Sequence, residues 1–220
     1  MNCHPEIPGK LPLQQEGEGI FRGLVKTWME VMFSPSSFFS RVDPYQGNAI
    51  ALLYAMLAGS LGIFLAIPAL VALQRTSSLA EPTSLAEGNF FLTWLGFIVL
   101  SPLAVLVGTV LATGIFHLSV ILFGGKRKIG ATLQVIAYSS SADLLQAIPL
   151  IGGFISFLYK IPLFVIGFRQ THQISTPRAL GATLLPYFLI LIFIAIAIGM
   201  AVGLGFEILK ELIPGKEIIT

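Results

Sequence analysis

Charge is scarce in this chain, and the scarcity fixes its class. Asp, Glu, Lys and Arg make up 11% of the 220 residues, about half the share of a typical soluble domain. A broad water-facing surface cannot be built from that. Cysteine is rarer still: Cys3 stands alone, which excludes an intrachain disulfide and leaves the redox compartment open. His117 has no second His or Cys at ligand spacing, so no metal site is expected. No HExxH, P-loop or GxGxxG pattern occurs, and Ser139-Ser140-Ser141 lacks a GxSxG frame. Nothing nominates a catalytic residue or a cofactor, and the expectation is a non-enzymatic protein. The net charge of +2 comes without a dense basic patch outside the apolar region, which excludes nucleic acid as a partner.

What the chain has instead is apolar length. Hydrophobic residues make up 55% of it. Residues 44–74, 88–125 and 179–206 carry no charge, and 129–168 carries only Asp143 and Lys160. A run of roughly 18 or more apolar residues is long enough to cross a bilayer. The fold class expected is an all-α integral membrane protein with five transmembrane helices and an N-terminal amphipathic interfacial helix.

Residues 1–19 read as a flexible cytoplasmic tail, because Pro5, Pro8, Pro12, Gly9, Gly17 and Gly19 interrupt any helix. The tail has no apolar core like that of a cleavable leader, so the first span is expected to direct insertion and stay in the membrane. Residues 20–45 form the interfacial helix and a connector. Phe21, Leu24, Val25, Trp28, Met29 and Met32 share one helical face, with Arg22, Lys26 and Glu30 at four-residue steps on the other. Such a helix is expected to lie flat in the membrane interface. Ser34-Pro35 ends or bends it.

The membrane domain covers 46–209, with spans at about 46–73, 102–123, 129–149, 151–168 and 179–206, followed by a short tail at 210–220. Asp43-Pro44 reads as the start signal of the first span. Ala51, Ala55 and Gly59, and likewise Ala58, Gly62 and Ala66, repeat every four residues. Small residues so spaced admit a close helix, within the domain or in a second copy. Pro102 divides the long 88–125 run, leaving 90–100 as a kinked or interfacial lead-in. Pro149-Leu150-Ile151-Gly152-Gly153 supplies a tight turn between spans three and four, and Pro186 a kink in span five.

Orientation follows from the cations between spans. Lys10, Arg22, Lys26, Arg41, Lys126, Arg127, Lys128, Arg169 and Arg178 fall on one side; Arg75, Lys210 and Lys216 fall on the other. That asymmetry predicts a cytoplasmic N-terminus and an external C-terminus.

The segments MFSPSSFF before span one, IFHLSVILFGGKRKIGATLQVIAYSS across spans two and three, and LLQAIPLIGGFISFLYKIPLFVIGFRQTHQISTPRALGATLLP into span five resemble the Yip family in its bacterial branch. Yip proteins are named for interaction with small Ypt GTPases in eukaryotes. The resemblance covers roughly residues 28–205. It implies a five-helix membrane domain in a multi-pass protein of the bacterial inner membrane, with a cytoplasmic N-terminus and no inherited enzymatic activity. The acidic-Leu-Tyr-Gly-Pro segment of eukaryotic members is missing here, which argues against GTPase binding.

Asp143 and Lys160 are the candidate site. They lie eight residues before and nine after Ile151, hence ~12–14 Å from the turn on each side. Three readings are open: an ion pair across the hairpin, charges lining a polar cavity or ion path, or a Lys160 that snorkels alone. Ser139 and Gln146 lie four before and three after Asp143, on one α-helical face, and could bond its carboxylate. His117 could join them, meet a lipid headgroup, or simply bond between helices. Lys126, Arg127 and Lys128 form a basic cytoplasmic loop whose topological role suffices, with anionic-lipid contact as an addition.

Two functions follow as expectations. One is a membrane-organising or partner-binding scaffold, whose partners are the lipid bilayer and other proteins or copies met through small-residue faces. The alternative is a small transporter or channel around Asp143, Lys160 and His117. A lipid-acting enzyme ranks behind both.

Overall fold

The computed structural model describes residues 11–14, 19–43, 45, 47–76 and 90–212. Most of the expected N-terminal tail, the Pro44 start signal and the tail beyond 212 lie outside the described residues. Every described element is helical. After a short 3-10 turn at Pro12–Gln14 come α1 (Ile20–Phe33), α2 (Pro35–Ser40), α3 (Asn48–Thr76), α4 (Phe90–Leu122) and α5 (Ile129–Ser139). A 3-10 segment (Ser140–Ala147), α6 (Gly152–His172) and α7 (Thr176–Leu212) complete the described elements. Among the described residues, four helices contain stretches long and apolar enough to cross a membrane: Asn48–Ile67, Leu95–Leu122, Gly152–His172 and Thr176–Gly203.

The chain divides into two units, Met1–Thr183 and Leu184–Thr220. In the second, α7 continues with no polar side chain between Phe188 and Gly203. In the first, α5 is the centre. Nine of its residues are buried, among them Thr132, Gln134, Tyr138 and Ser139. The interior of this unit is rich in hydroxyls: Thr109, Thr113 and Ser119 of α4 are buried while Leu111, Leu118 and Leu122 of the same helix are exposed. Water would reverse that distribution; hydrocarbon selects it, because polar groups in a bilayer must find partners inside the protein. Thr113 Oγ1 donates to Thr109 O (2.7 Å), and Thr171 Oγ1 to Gly167 O (2.8 Å). Each hydroxyl is satisfied one turn back on its own helix.

Several boundaries differ from the sequence reading. Asp43 Oδ1 accepts from the Tyr45 N–H at 2.9 Å, an Asx turn ahead of the helix, and α3 begins at Asn48. Gln134 ties that connector down, its Nε2 donating to Asp43 O (2.7 Å) and Asn48 Oδ1 (3.0 Å). α4 runs unbroken through Pro102 and α7 through Pro186, as membrane helices allow when neighbours cover the freed carbonyls. The 129–149 stretch is not one α-helix. α5 ends after 11 residues and winds on as eight residues of 3-10 helix. Serines at its start explain the change, since Ser141 Oγ donates to Tyr138 O at 2.7 Å and such local bonds compete with α-geometry.

The small-residue row of α3 works inside this unit. A Cβ on Gly62 would stand 2.5 Å from Asp143 O and 2.8 Å from its Cβ, so α3 rests directly on the 3-10 backbone. Gly62→Ala is therefore expected to cost roughly 1–3 kcal/mol, seen as a lower unfolding temperature in detergent. Gly108→Ala, with nothing within 4 Å of its added carbon, should leave that temperature unchanged. Equal effects of the two would disprove the close approach.

Candidate functional site

The 3-10 segment and α6 form the two arms of a hairpin whose turn carries Leu150 at φ 67°. Lys160 reaches across it. Its Nζ lies 2.7 Å from Asp143 Oδ1 and donates to Oδ2 at 2.9 Å. Gln146 Nε2 donates to Asp143 Oδ1 at 3.0 Å, and Ser156 Oγ to the same oxygen at 3.2 Å. A carboxylate offers about four lone-pair positions, and here nearly all are filled. Both side chains are largely covered, Lys160 at 27% exposure and Asp143 at 13%. Such a pair is stable where each charge also keeps hydrogen bonds.

The winding decides who takes part. At three residues per turn, Gln146 falls directly over Asp143. Ser139, four before it, is rotated roughly 120° away. Ser139 Oγ is buried and has no hydrogen-bond partner among the described residues. Ser156 takes the place expected of it. Its position four residues before Lys160, on one face of α6, was the available signal.

His117 does not meet Asp143. Its Nδ1 lies 2.9 Å from Thr132 Oγ1, which lies 3.0 Å from His172 Nε2. One hydroxyl thus joins α4, α5 and α6 near the end of α5 opposite the ion pair. Sequence spacing had no means of finding Thr132 or His172, because the three helices meet only in the fold. Lys126, Arg127 and Lys128 lie in the loop just beyond, with Lys128 Nζ 5.2 Å from the Tyr45 ring centroid. Among the described residues no three His, Cys, Asp or Glu side chains converge as a metal site would need.

A second missed feature sits beside the ion pair. Trp28 Nε1 of α1 donates to Ser141 O at 3.1 Å. Tyr54 OH of α3 meets Ser141 Oγ at 2.6 Å, and the Tyr159 hydroxyl donates to Met32 O. Ser141 and Tyr159 neighbour Asp143 and Lys160, so α1 docks on the braced part of the hairpin. Its Gly23, Thr27 and Val31 are buried, whereas Phe21, Val25, Met29 and Phe33 are exposed. Glu30 pairs with Arg41.

A family model settles the wider identity. The Yip1 domain matches residues 29–198, well over half of the chain. The chain belongs to the Yip family. No curated protein matches it, and no solved structure does. The ion pair, its bracing residues and the hydroxyl bridge all fall within the Yip1 match, and the match makes this a transmembrane protein.

The hydroxyl bridge generates a direct test. Thr132→Val leaves His117 Nδ1 and His172 Nε2 without their partner, and should cost about 1–3 kcal/mol. Thr132→Ser keeps the hydroxyl and should stay close to wild type. Chemical unfolding in detergent distinguishes them, and a Thr132→Val protein as stable as Thr132→Ser would exclude the bridge.

Proposed function

We propose that this Yip-family protein is a non-enzymatic membrane-organising scaffold, with α1 and α2 as a wedge in one leaflet. The observation that carries the reading is where the N-terminal helices bond along α6. Met32 bonds Tyr159, near the middle of α6, whereas Ser36 accepts from Gln170 Nε2 (2.7 Å), close to its end. Tyr159 and Gln170 are about 16 Å apart along the helix axis. The chain thus climbs from the end of α1 through α2 toward the end of α6, which supports an α1 that enters the leaflet beside the hairpin over one that lies flat. The exposed row Phe21, Val25, Met29 and Phe33 meets acyl chains. Material inserted on one side expands that leaflet and favours curvature.

The accompanying topology has five crossings. Ile129–Ala147 makes the third: 11 residues at ~1.5 Å and eight at ~2.0 Å cover ~32 Å, the thickness of the hydrocarbon core. The cation asymmetry supports a cytoplasmic N-terminus and an external C-terminus in a bacterial inner membrane. Occupancy of the Asp143 carboxylate by its own hairpin supports a structural ion pair over a transport site.

Reconstitution into giant vesicles from which narrow tethers are drawn tests the wedge. The wild-type chain should concentrate in the tether severalfold over the flat membrane. The triple variant Phe21→Ala, Val25→Ala, Met29→Ala should distribute evenly while keeping its unfolding temperature. Even distribution of the wild type would refute the organising role. A proton or cation flux above that of empty vesicles would favour the transporter instead.

A further inference from the structure

We propose that the end of the bundle around Gly124 and Gly125 binds the phosphate of an anionic lipid headgroup. It rests on the family's membrane placement and goes beyond the wedge reading. The fold adds two cations to the loop's three. Arg169 stands in the last turn of α6 and Arg178 in the first turn of α7. Arg178 Nη1 would lie 3.4 Å from a Cβ on Gly124, whose φ is +92°. The guanidinium is thus laid against bare backbone of the loop. Five cations fall within the four to eight of a lipid-phosphate site, where the loop triplet alone did not. Among the described residues, none of Lys126, Arg127, Lys128, Arg169 and Arg178 has a carboxylate within ion-pair distance.

A second observation points to a ligand at the same place. His172 is 4% exposed, and its Nδ1 is buried with no hydrogen-bond partner. That nitrogen faces the loop, 3.1 Å from where a Cβ on Gly125 would stand. Next to it α5 starts without any side-chain cap; Ala131 N–H bonds back to Lys128 O at 3.0 Å, and the N–H groups ahead of it precede the helical ladder. A phosphate oxygen, or a water carried with it, completes this set of donors. The occupant is a lipid rather than a free anion because exposed apolar side chains continue from the cations. Leu118, Ile121 and Leu122 of α4 and Leu180 of α7 are all at least 43% exposed. They offer a path for acyl chains directly beside the phosphate position.

The test uses the full chain in mild detergent, titrated with dioleoylphosphatidylglycerol, dioleoylphosphatidylcholine or inorganic phosphate alone. Native mass spectrometry counts retained lipid, and thermal melting reads the stabilisation. Phosphatidylglycerol should be retained and raise the melting temperature by several degrees, with neither effect from the other two probes. Arg178→Gln and, independently, Arg127→Gln should each weaken phosphatidylglycerol retention by about tenfold, as loss of one charge-assisted contact implies. Arg22→Gln, removing an equal charge on α1, should change nothing. Equal retention of phosphatidylcholine would overturn the proposal, as would an equal loss in Arg22→Gln, which signifies diffuse surface charge. Stabilisation by inorganic phosphate alone would reassign the site to a free anion.

Discussion

The contact between Lys160 and Asp143 is the one on which the first unit depends. It locks the 3-10 segment against α6, and that segment is the platform for two other helices. α3 rests Gly62 on the Asp143 main chain, and α1 hangs its Trp28 indole on the carbonyl of Ser141. Removing one member strands the other charge, and because the pair is part-buried the cost falls below the about 3–5 kcal/mol of a fully buried pair. The strain would pass to α1 and α3, whose other bonds here, Met32 to Tyr159 and Tyr54 to Ser141, flank the same ion pair.

Burial of apolar surface from water cannot drive such helices together inside a bilayer, where lipid is as apolar as leucine. Close approach and internal hydrogen bonds take over. The interior shows both. Tyr54 with Ser141 and Thr132 between two histidines are cross-helix bonds at buried or half-buried groups, and the buried Gln134 ties the connector before α3 to α5. Glycines 59, 62 and 167 let neighbouring chain come within contact distance of their Cα atoms. A wedge and a headgroup site fit this design, because both attach to a body whose polar chemistry is turned inward and whose surface is left to lipid.

The sequence made the membrane helices and the matched positions of Asp143 and Lys160 about the turn legible, because apolar run length and residue counts carry that information. It misled where local winding changed. Ser139 is placed correctly beside Asp143 only on an α-helix; the helix tightens where Ser141 bonds back to Tyr138 O, which turns Ser139 away and brings Gln146 into line. Pro102 read as a divider because proline breaks helices in water, yet in α4 the helix continues through it. The row Phe21, Val25, Met29 was visible as an apolar face, but periodicity cannot tell a helix lying on a membrane from one descending into it. The bonds of Trp28 to Ser141 and of Tyr159 to Met32 are what support the second reading. His172 and Thr132 were invisible for a similar reason: their meeting with His117 depends on three helices packing, and no spacing encodes it.

The central claim is that two opposite charges hold the hairpin together, whichever arm carries which sign. The measurement that tests it most directly is a charge-exchange cycle. Asp143→Lys, Lys160→Asp and the exchanged double variant are compared by thermal stability of the purified chain in detergent. Each single change places like charges face to face and should lower stability strongly, and the exchange should restore most of the loss. Single variants that melt like the wild type, or an exchange that recovers nothing, would contradict the account.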